Sequence, residues 1–259
     1  MDFENLYLEI TRECSMCCEH CLRGNHEHEF MSIETLENSL KDINHIKTLL
    51  LSGGEPLLSI RILEKLPEII NKYNIKIDRI GIITNGTIYS KRHLKALSKL
   101  KEVCDSFGFF LSFDLFHRLE WKRLGLTSKV ERNYYIYKKY LGIEKYPEED
   151  YNSNILLFPK GRAEDFTQSR LKEIALNNHI NIKFSSENDD NVIYYEDKVE
   201  GKTCIDVHGN IVGYSKSFEE EDREASAEYN VNNHSIRKCI INYISHKKSQ
   251  KIYKKTLYN

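Results

Sequence analysis

Residues 14–21 read CSMCCEHC, which puts four of the chain's seven cysteines and one histidine into eight positions. Cys14, Cys18 and Cys21 are spaced C-x3-C-x2-C. Three thiolates on one short loop can hold three corners of a cubane iron-sulfur cluster. A four-iron cluster normally takes four cysteines, so holding three leaves one iron open to a small molecule. A structural zinc site is the other chemistry open to this loop, with Cys17, His20, His26 or His28 as additional ligands. Zinc sites are usually built from paired halves such as C-x2-C and H-x3-H, and no second half follows downstream. Cys17 offers a second C-x3-C spacing to Cys21 and is read as a bystander, because Cys14 completes the three-point pattern.

Four further stretches carry polar chemistry at the ends of expected strands. In GGEP (Gly53 to Pro56), two glycines let the chain bring backbone carbonyls and amides close to a ligand, and Glu55 or a neighbouring carbonyl can receive an ammonium. TNG (Thr84 to Gly86) ends the third expected strand. Ser112 and Asp114 of SFD, two apart on a strand, point to one face and can address a diol. Arg162 of GRA (Gly161 to Ala163) suits a carboxylate through its fork of donors. Each stretch alone is an ordinary turn. Independent turns have no reason to fall at successive strand ends beside a three-cysteine loop.

The elements that must position these residues are legible as alternation. Apolar runs rich in Ile, Leu and Phe (NLYLEI, KTLLLSG, RIGIIT, GFFLSFD, NILLFP and INIKFS) alternate with segments of helical period. SIETLENSLKDINHI has Ser32 as its N-cap, and in IRILEKLPEIINKYN the residues Ile62, Leu63, Leu66, Ile69, Ile70 and Tyr73 share one face. Further helices are expected at KRHLKALSKL, KVERNYYIYKKYLG and SRLKEIALNN. Six β-α units are too few to close an eight-stranded barrel. The expected fold is α/β, a partial (β/α)6 TIM-like barrel over residues 1–195, with ligands at the carboxyl ends of the strands. Residues 196–259 form a C-terminal extension, a small hairpin turning at His208 to Asn210 followed by a helix that caps the open side.

Composition bounds the rest. A chain of 259 residues that is 40% hydrophobic can bury a real core, and its net charge of −1 gives no electrostatic reason to expect nucleic acid or an anionic membrane. The N-terminus lacks the basic start and apolar run of a secretory signal, and no apolar stretch approaches the roughly 20 residues that cross a bilayer. A cytoplasmic protein is expected, and there an odd cysteine count argues against a disulfide framework.

Taken in order over residues 6–165, the cysteine loop, GGEP, TNG, SFD and GRA resemble the radical S-adenosylmethionine (radical SAM) enzymes. The resemblance implies a [4Fe-4S] cluster on Cys14, Cys18 and Cys21, and S-adenosyl-L-methionine bound by His20, Gly53, Gly54, Glu55, Pro56, Asn85, Ser112, Asp114 and Arg162. In the family GGEP contacts the methionyl amino group, SFD the ribose, and the backbone of the residue before the last cysteine the adenine. It further implies reductive cleavage to a 5′-deoxyadenosyl radical, hydrogen-atom abstraction from substrate, and an electron donor such as flavodoxin or ferredoxin.

KTCIDVHGNIVGYS resembles the first hairpin of the C-terminal extension in members that modify peptides or proteins, which implies a peptide or protein substrate and a reaction such as epimerisation or cross-linking. Too few cysteines lie there for a second cluster. Cys204 is a candidate hydrogen-atom donor, its bland alternative being a small core residue. A small-molecule or nucleoside substrate and a glycyl-radical activase share the same core, and a zinc-stabilised binding module is the non-enzyme alternative. The run Glu219 to Asp222 near the rim favours a basic peptide, if it is not simply solvated.

Overall fold

The computed structural model describes residues 1–142, 154–157, 161–164, 166, 168–178, 181–184, 192–213 and 216–257. The chain begins with β1 (Asp2–Thr11), α1 (Ile33–Leu40), β2 (His45–Gly53), α2 (Ile60–Lys72), β3 (Lys76–Thr84), α3 (Lys91–Glu102) and β4 (Ser106–Leu111). It continues with α4 (Leu115–Arg123), α5 (Thr127–Leu141), β5 (Asn154–Leu157), α6 (Gln168–Asn178) and β6 (Asn181–Phe184). The C-terminal part holds β7 (Ile193–Tyr195), β8 (Lys198–Ile205), β9 (Ile211–Val212), α7 (Phe218–Glu224) and α8 (Ile236–Leu257). The ends of the expected strands NILLFP and INIKFS lie outside the described residues.

The main sheet has the order β4-β3-β2-β1-β8-β7, with β9 paired to β8. Each neighbour from β4 to β8 is parallel, and among the described residues the sheet does not close. β5 and β6 pair in parallel as a separate two-stranded sheet. This is the open, partial barrel expected from the alternation, with β5 and β6 set apart from the main sheet among the described residues and with one further departure. The C-terminal segment enters the main sheet rather than only capping it, because β8 lies parallel beside β1 with Tyr7 opposite Cys204 and Leu8 opposite Ile205.

Strand alternation gives the sheet two faces. Leu6, Leu8 and Ile10 of β1, Leu49 and Leu51 of β2, and Ile80 and Ile82 of β3 are fully buried against the helices. Leu36, Leu63, Leu66, Leu97, Leu100 and Tyr137 complete that core from α1, α2, α3 and α5. Burying each such aliphatic side chain stabilises the fold by about 1.5–3 kcal/mol relative to leaving it exposed. The interleaved residues Glu9, Ser52 and Ile83 face the other way, and Ser52 and Ile83 line the cavity at the strand ends.

Two helix starts are fixed by caps. Ser32 accepts from the Thr35 amide at the start of α1, as its sequence predicts, and Asp114 accepts from the amides of Phe116 and His117 at the start of α4. α4 has no counterpart in the sequence reading. Its buried residues Leu115, Phe116, Glu120 and Trp121 are spread around the helix instead of forming one stripe, so it lacks the amphipathic signal.

Candidate functional site

A cavity of about 310 Å³ opens at the carboxyl ends of β1 to β4, lined in part by Cys14, Cys18, Cys21, Gly53, Gly54 and Asn85. The cysteine loop that forms one wall is held from three sides. Gly54 N–H donates to the Thr11 carbonyl and Glu55 N–H to the Glu13 carbonyl, both at 2.8 Å, which fastens the end of β2 to the start of the loop. Asn85 Nδ2 donates to Ser15 Oγ at 3.2 Å and lies 3.6 Å from Cys14 Sγ. Arg162 N–H donates to the Cys21 carbonyl at 3.0 Å.

Gly53 and Gly54 are required by close approach. Gly53 has φ +133°, and a Cβ on it would overlap the Thr11 carbonyl, while one on Gly54 would overlap the Glu13 carbonyl. The glycines serve the packing of strand end against cysteine loop, and both remain on the cavity wall.

Three of the four clustered cysteines converge. Cys14, Cys18 and Cys21 line the cavity, whereas Cys17 is exposed and not on its wall. Cys18 packs with Met16, Trp121 and Val130. Burial pushes the Cys14 thiol up to about 12 and the Cys18 thiol higher still, with the neighbouring cysteines adding to both shifts. Buried thiols crowded in this way ionise readily only beside a cation, and iron supplies one. The donor set therefore fits a cluster held at three corners.

The remaining site residues fall into two groups. Gly53, Gly54, Asn85, Ser112, His20 and Arg162 line the cavity. Glu55 and Pro56 do not. Glu55 is fully buried behind the wall, where Oε1 accepts from Leu57 N–H and Thr84 Oγ1 and Oε2 accepts from Asn85 N–H at 2.7 Å. Burial pushes its carboxyl up to about 7 against those hydrogen bonds. Both oxygens are engaged in joining the ends of β2 and β3, so the side chain is not presented to an ammonium.

Asp114 is likewise engaged. β4 ends at Leu111, so Ser112 and Asp114 lie beyond the strand, and the same-face argument that paired them does not apply. Asp114 Oδ1 caps α4, and Oδ2 lies 2.6 Å from His117 Nδ1 and 3.5 Å from His20 Nε2. Burial would raise its carboxyl, but hydrogen bonding from His117 and His20 holds it well below the usual carboxylate range. His20 stacks on Phe116 with centroids 4.6 Å apart, and His20 and His117 both line the cavity.

Cys204 is almost fully buried on β8 and does not line the cavity. Its neighbour Arg23 does. Burial pushes the Cys204 thiol well up, opposed by Arg23. A hydrogen-atom donor must reach the substrate, and this thiol sits below a layer of ion pairs instead.

That layer was missed by the sequence reading. Arg12 is 1% exposed and pairs with Glu9, Glu221, Glu27 and Asp222, and Arg23 pairs with Glu9 and Glu221. Phe218 lies under both guanidinium groups, 4.9 Å and 5.9 Å from its ring centroid. Arg12, Arg23 and Phe218 line the cavity. The network ties α7 to the end of β1 and divides the acidic run: Glu221 is fully buried and Asp222 is paired to Arg12, whereas Glu219 and Glu220 line a second hollow beside the cavity. An arginine directly after an apolar strand was the one available signal.

A second, more polar hollow of about 610 Å³ shares Arg23, Gly24, Arg162 and Phe218 with the first and runs outward past Glu164 and Arg223. Among the described residues, no helix is long and apolar enough to cross a membrane.

Comparison with known proteins follows this geometry. Residues 8–167 match the sequence profile of the Radical SAM superfamily. The uncharacterized protein MJ0907 of Methanocaldococcus jannaschii is 30% identical over 105 residues, which is 39% of this chain and 35% of that protein. The alignment thus spans about a third of that relative. Native anSMEcpe with bound AdoMet is similar in fold, with a TM-score of 0.56 at 20% identity, covering 92% of this chain and 80% of that chain. Native anSMEcpe with bound AdoMet and Cp18Cys peptide gives 0.55 at 19% identity and the same coverage.

Proposed function

This chain belongs to the radical SAM superfamily, and from that premise we propose that it is an enzyme that takes a hydrogen atom from a peptide or protein. In this reading Cys14, Cys18 and Cys21 hold a [4Fe-4S] cluster, and S-adenosyl-L-methionine binds beside it in the same cavity. When bound, the cluster and S-adenosyl-L-methionine supply a one-electron cleavage that yields a hydrogen-abstracting carbon radical. The observation that carries the reading is the convergence of those three cysteines, and not Cys17, on a cavity walled by Gly53, Gly54 and Asn85.

The chain's own residues bind, orient and exclude. The backbone at Gly53 and Gly54 offers polar groups with no side chain in the way. Arg162, half-buried at the wall, offers a guanidinium to a carboxylate. His20 and His117, fixed by Asp114, border the cavity where a nucleoside would lie. Met16, Trp121 and Val130 pack behind Cys18 and keep water from that side. Residues 196–259 act as part of this catalytic unit, because α7 contributes Phe218 to the wall through its ion pairs with Arg12 and Arg23.

The peptide reading is supported by the polar hollow that continues from the cavity to solvent, an opening suited to a chain rather than to an enclosed nucleoside. Similarity in fold to anSMEcpe, whose structures hold peptides, is consistent with it. The test is anaerobic incubation with dithionite and S-adenosyl-L-methionine, with 5′-deoxyadenosine measured by chromatography. We expect its formation without substrate and a several-fold rise with a cognate peptide. Absence of 5′-deoxyadenosine from cluster-loaded protein contradicts the enzyme, and a rise with nucleosides but not with peptides contradicts the substrate class.

A further inference from the structure

We propose that Arg162 sets the reduction potential of the cluster by placing its positive charge against the sulfur of Cys21. The inference rests on the reading that Cys14, Cys18 and Cys21 hold that cluster.

The main chain fixes this arrangement first. Arg162 N–H donates to the Cys21 carbonyl at 3.0 Å. Gly161, at φ +57°, packs so closely under the same loop that a Cβ on it would overlap the carbonyls of Leu22 and Cys21. Arg162 is therefore held beside Cys21, and both residues line the cavity. Its guanidinium meets sulfur. Nη1 lies 2.6 Å from Cys17 Sγ, and Nε is buried with no hydrogen-bond partner among the described residues. Burial opposes the charge on Arg162, while Cys21 first and Cys17 second hold the group in its charged form.

Among the described residues Arg12, Arg23 and Arg162 are the arginines that line the cavity, and they are not equivalent. Arg12 and Arg23 are matched by Glu9 and Glu221. Glu120 feels the charge of Arg162, but Arg123 donates to both of its oxygens. The charge of Arg162 is thus left for the sulfurs. The cluster cysteines differ accordingly. Cys14 Sγ has the neutral amide of Asn85 at 3.6 Å, Cys18 packs against Met16, Trp121 and Val130, and Cys21 has a guanidinium. An added electron makes the cluster more negative, and a fixed cation or hydrogen-bond donor at a ligand sulfur favours that state. A half-buried charge is also screened less than one in open solvent. Arg162 therefore raises the potential.

The experiment measures the midpoint potential of anaerobically loaded protein by electron paramagnetic resonance, during reduction with dithionite and titanium(III) citrate. S-adenosyl-L-methionine is left out, so a role of Arg162 in holding that ligand's carboxylate does not enter the result. Arg162→Met and Arg162→Gln remove the charge, and Arg162→Lys keeps it. Arg79→Met is the control, removing an exposed charge from the amino-terminal half of β3, away from the cavity. We expect the two neutral variants to be reduced with an equilibrium constant about tenfold smaller, a fall of about 59 mV for one electron. Arg162→Lys should lose less than half of that, and Arg79→Met should match the unaltered chain. An unchanged potential in the neutral variants, or a higher one such as added water access would give, overturns the tuning role and leaves the proposed function standing. Loss of the cluster from both neutral variants overturns it as well, because Arg162 would then serve assembly of the loop. An equal fall in Arg79→Met assigns the effect to net charge and also overturns it. Failure of the unaltered chain to take up a cluster removes the proposed function, and this inference with it.

Discussion

Arg162 Nη1 lies 2.6 Å from Cys17 Sγ, which fastens the fourth cysteine of the loop on the outer side while the other three face the cavity. The contact gives Cys17 a local role independent of metal. The exposure of Cys17 and its place off the cavity wall make the two overlapping C-x3-C spacings of the sequence inequivalent in the fold.

Asp114 separates structural from cofactor-related effects. Asp114→Ala loses the α4 cap and is expected to cost about 0.5–2 kcal/mol of stability, measured by urea denaturation. Asp114→Asn retains a capping oxygen but loses the charge that holds His117 and His20. It should therefore keep most of the stability while binding S-adenosyl-L-methionine more weakly by calorimetry. Unchanged binding in the Asn variant would show that the two imidazoles do not serve the ligand.

At Gly54, Ala must displace the Glu13 carbonyl and with it the start of the cysteine loop. Gly54→Ala should cost about 1–3 kcal/mol through overpacking and lower the iron content of protein assembled anaerobically. Full iron loading in this variant would mean that the loop tolerates the shift.

How much of this was legible in the sequence depended on how local the signal was. The cysteine spacing, the Ser32 cap and the alternation of strands and helices are short-range patterns, and they led to the open barrel and to the right loop. The same-face pairing of Ser112 with Asp114 was misread because a two-residue periodicity was carried past the point where β4 ends and α4 begins. The parallel pairing of Tyr7 with Cys204 joins positions nearly two hundred residues apart, and nothing in either segment announces the other. The burial of Glu221 was hidden for the same reason, since its partners Arg12 and Arg23 lie at the opposite end of the chain.

Glu221 is surrounded by Glu9, Asp206, Arg12 and Arg23, and burial pushes its carboxyl up to about 9. A raised folded-state value means that the buried acid is favoured in its protonated form, so stability declines as pH rises from the ordinary carboxylate range toward 9. Glu221→Gln keeps the shape and one acceptor for Arg12 and Arg23 while removing the charge, and should cost less than Glu221→Ala. Glu221→Ala leaves two buried guanidinium groups short of a partner and should cost about 3–5 kcal/mol. Equal losses in the two variants, by urea denaturation, would show that the charge of Glu221, rather than its volume and acceptor oxygen, carries the stability.

Glu55 has a second pH signature. Its carboxyl stands at about 7 in the fold, above the ordinary value of 4.5. The associated stability is present below 4.5 and is lost as pH rises through 7, by roughly 2–4 kcal/mol in all. Glu55→Gln leaves an amide facing the Asn85 N–H and should be less stable at every pH, but its denaturation midpoint should lack this slope between pH 5 and 8. A parallel pH dependence in the two proteins would assign the slope to other groups.

The central claim is that Cys14, Cys18 and Cys21, and not Cys17, hold the cluster, and iron and sulfide content of anaerobically prepared variants tests it most directly. Cys17→Ala should retain the iron, sulfide and brown absorption of the unaltered protein, and Cys18→Ala should lose all three. A full cluster in Cys18→Ala together with an empty Cys17→Ala would contradict the account.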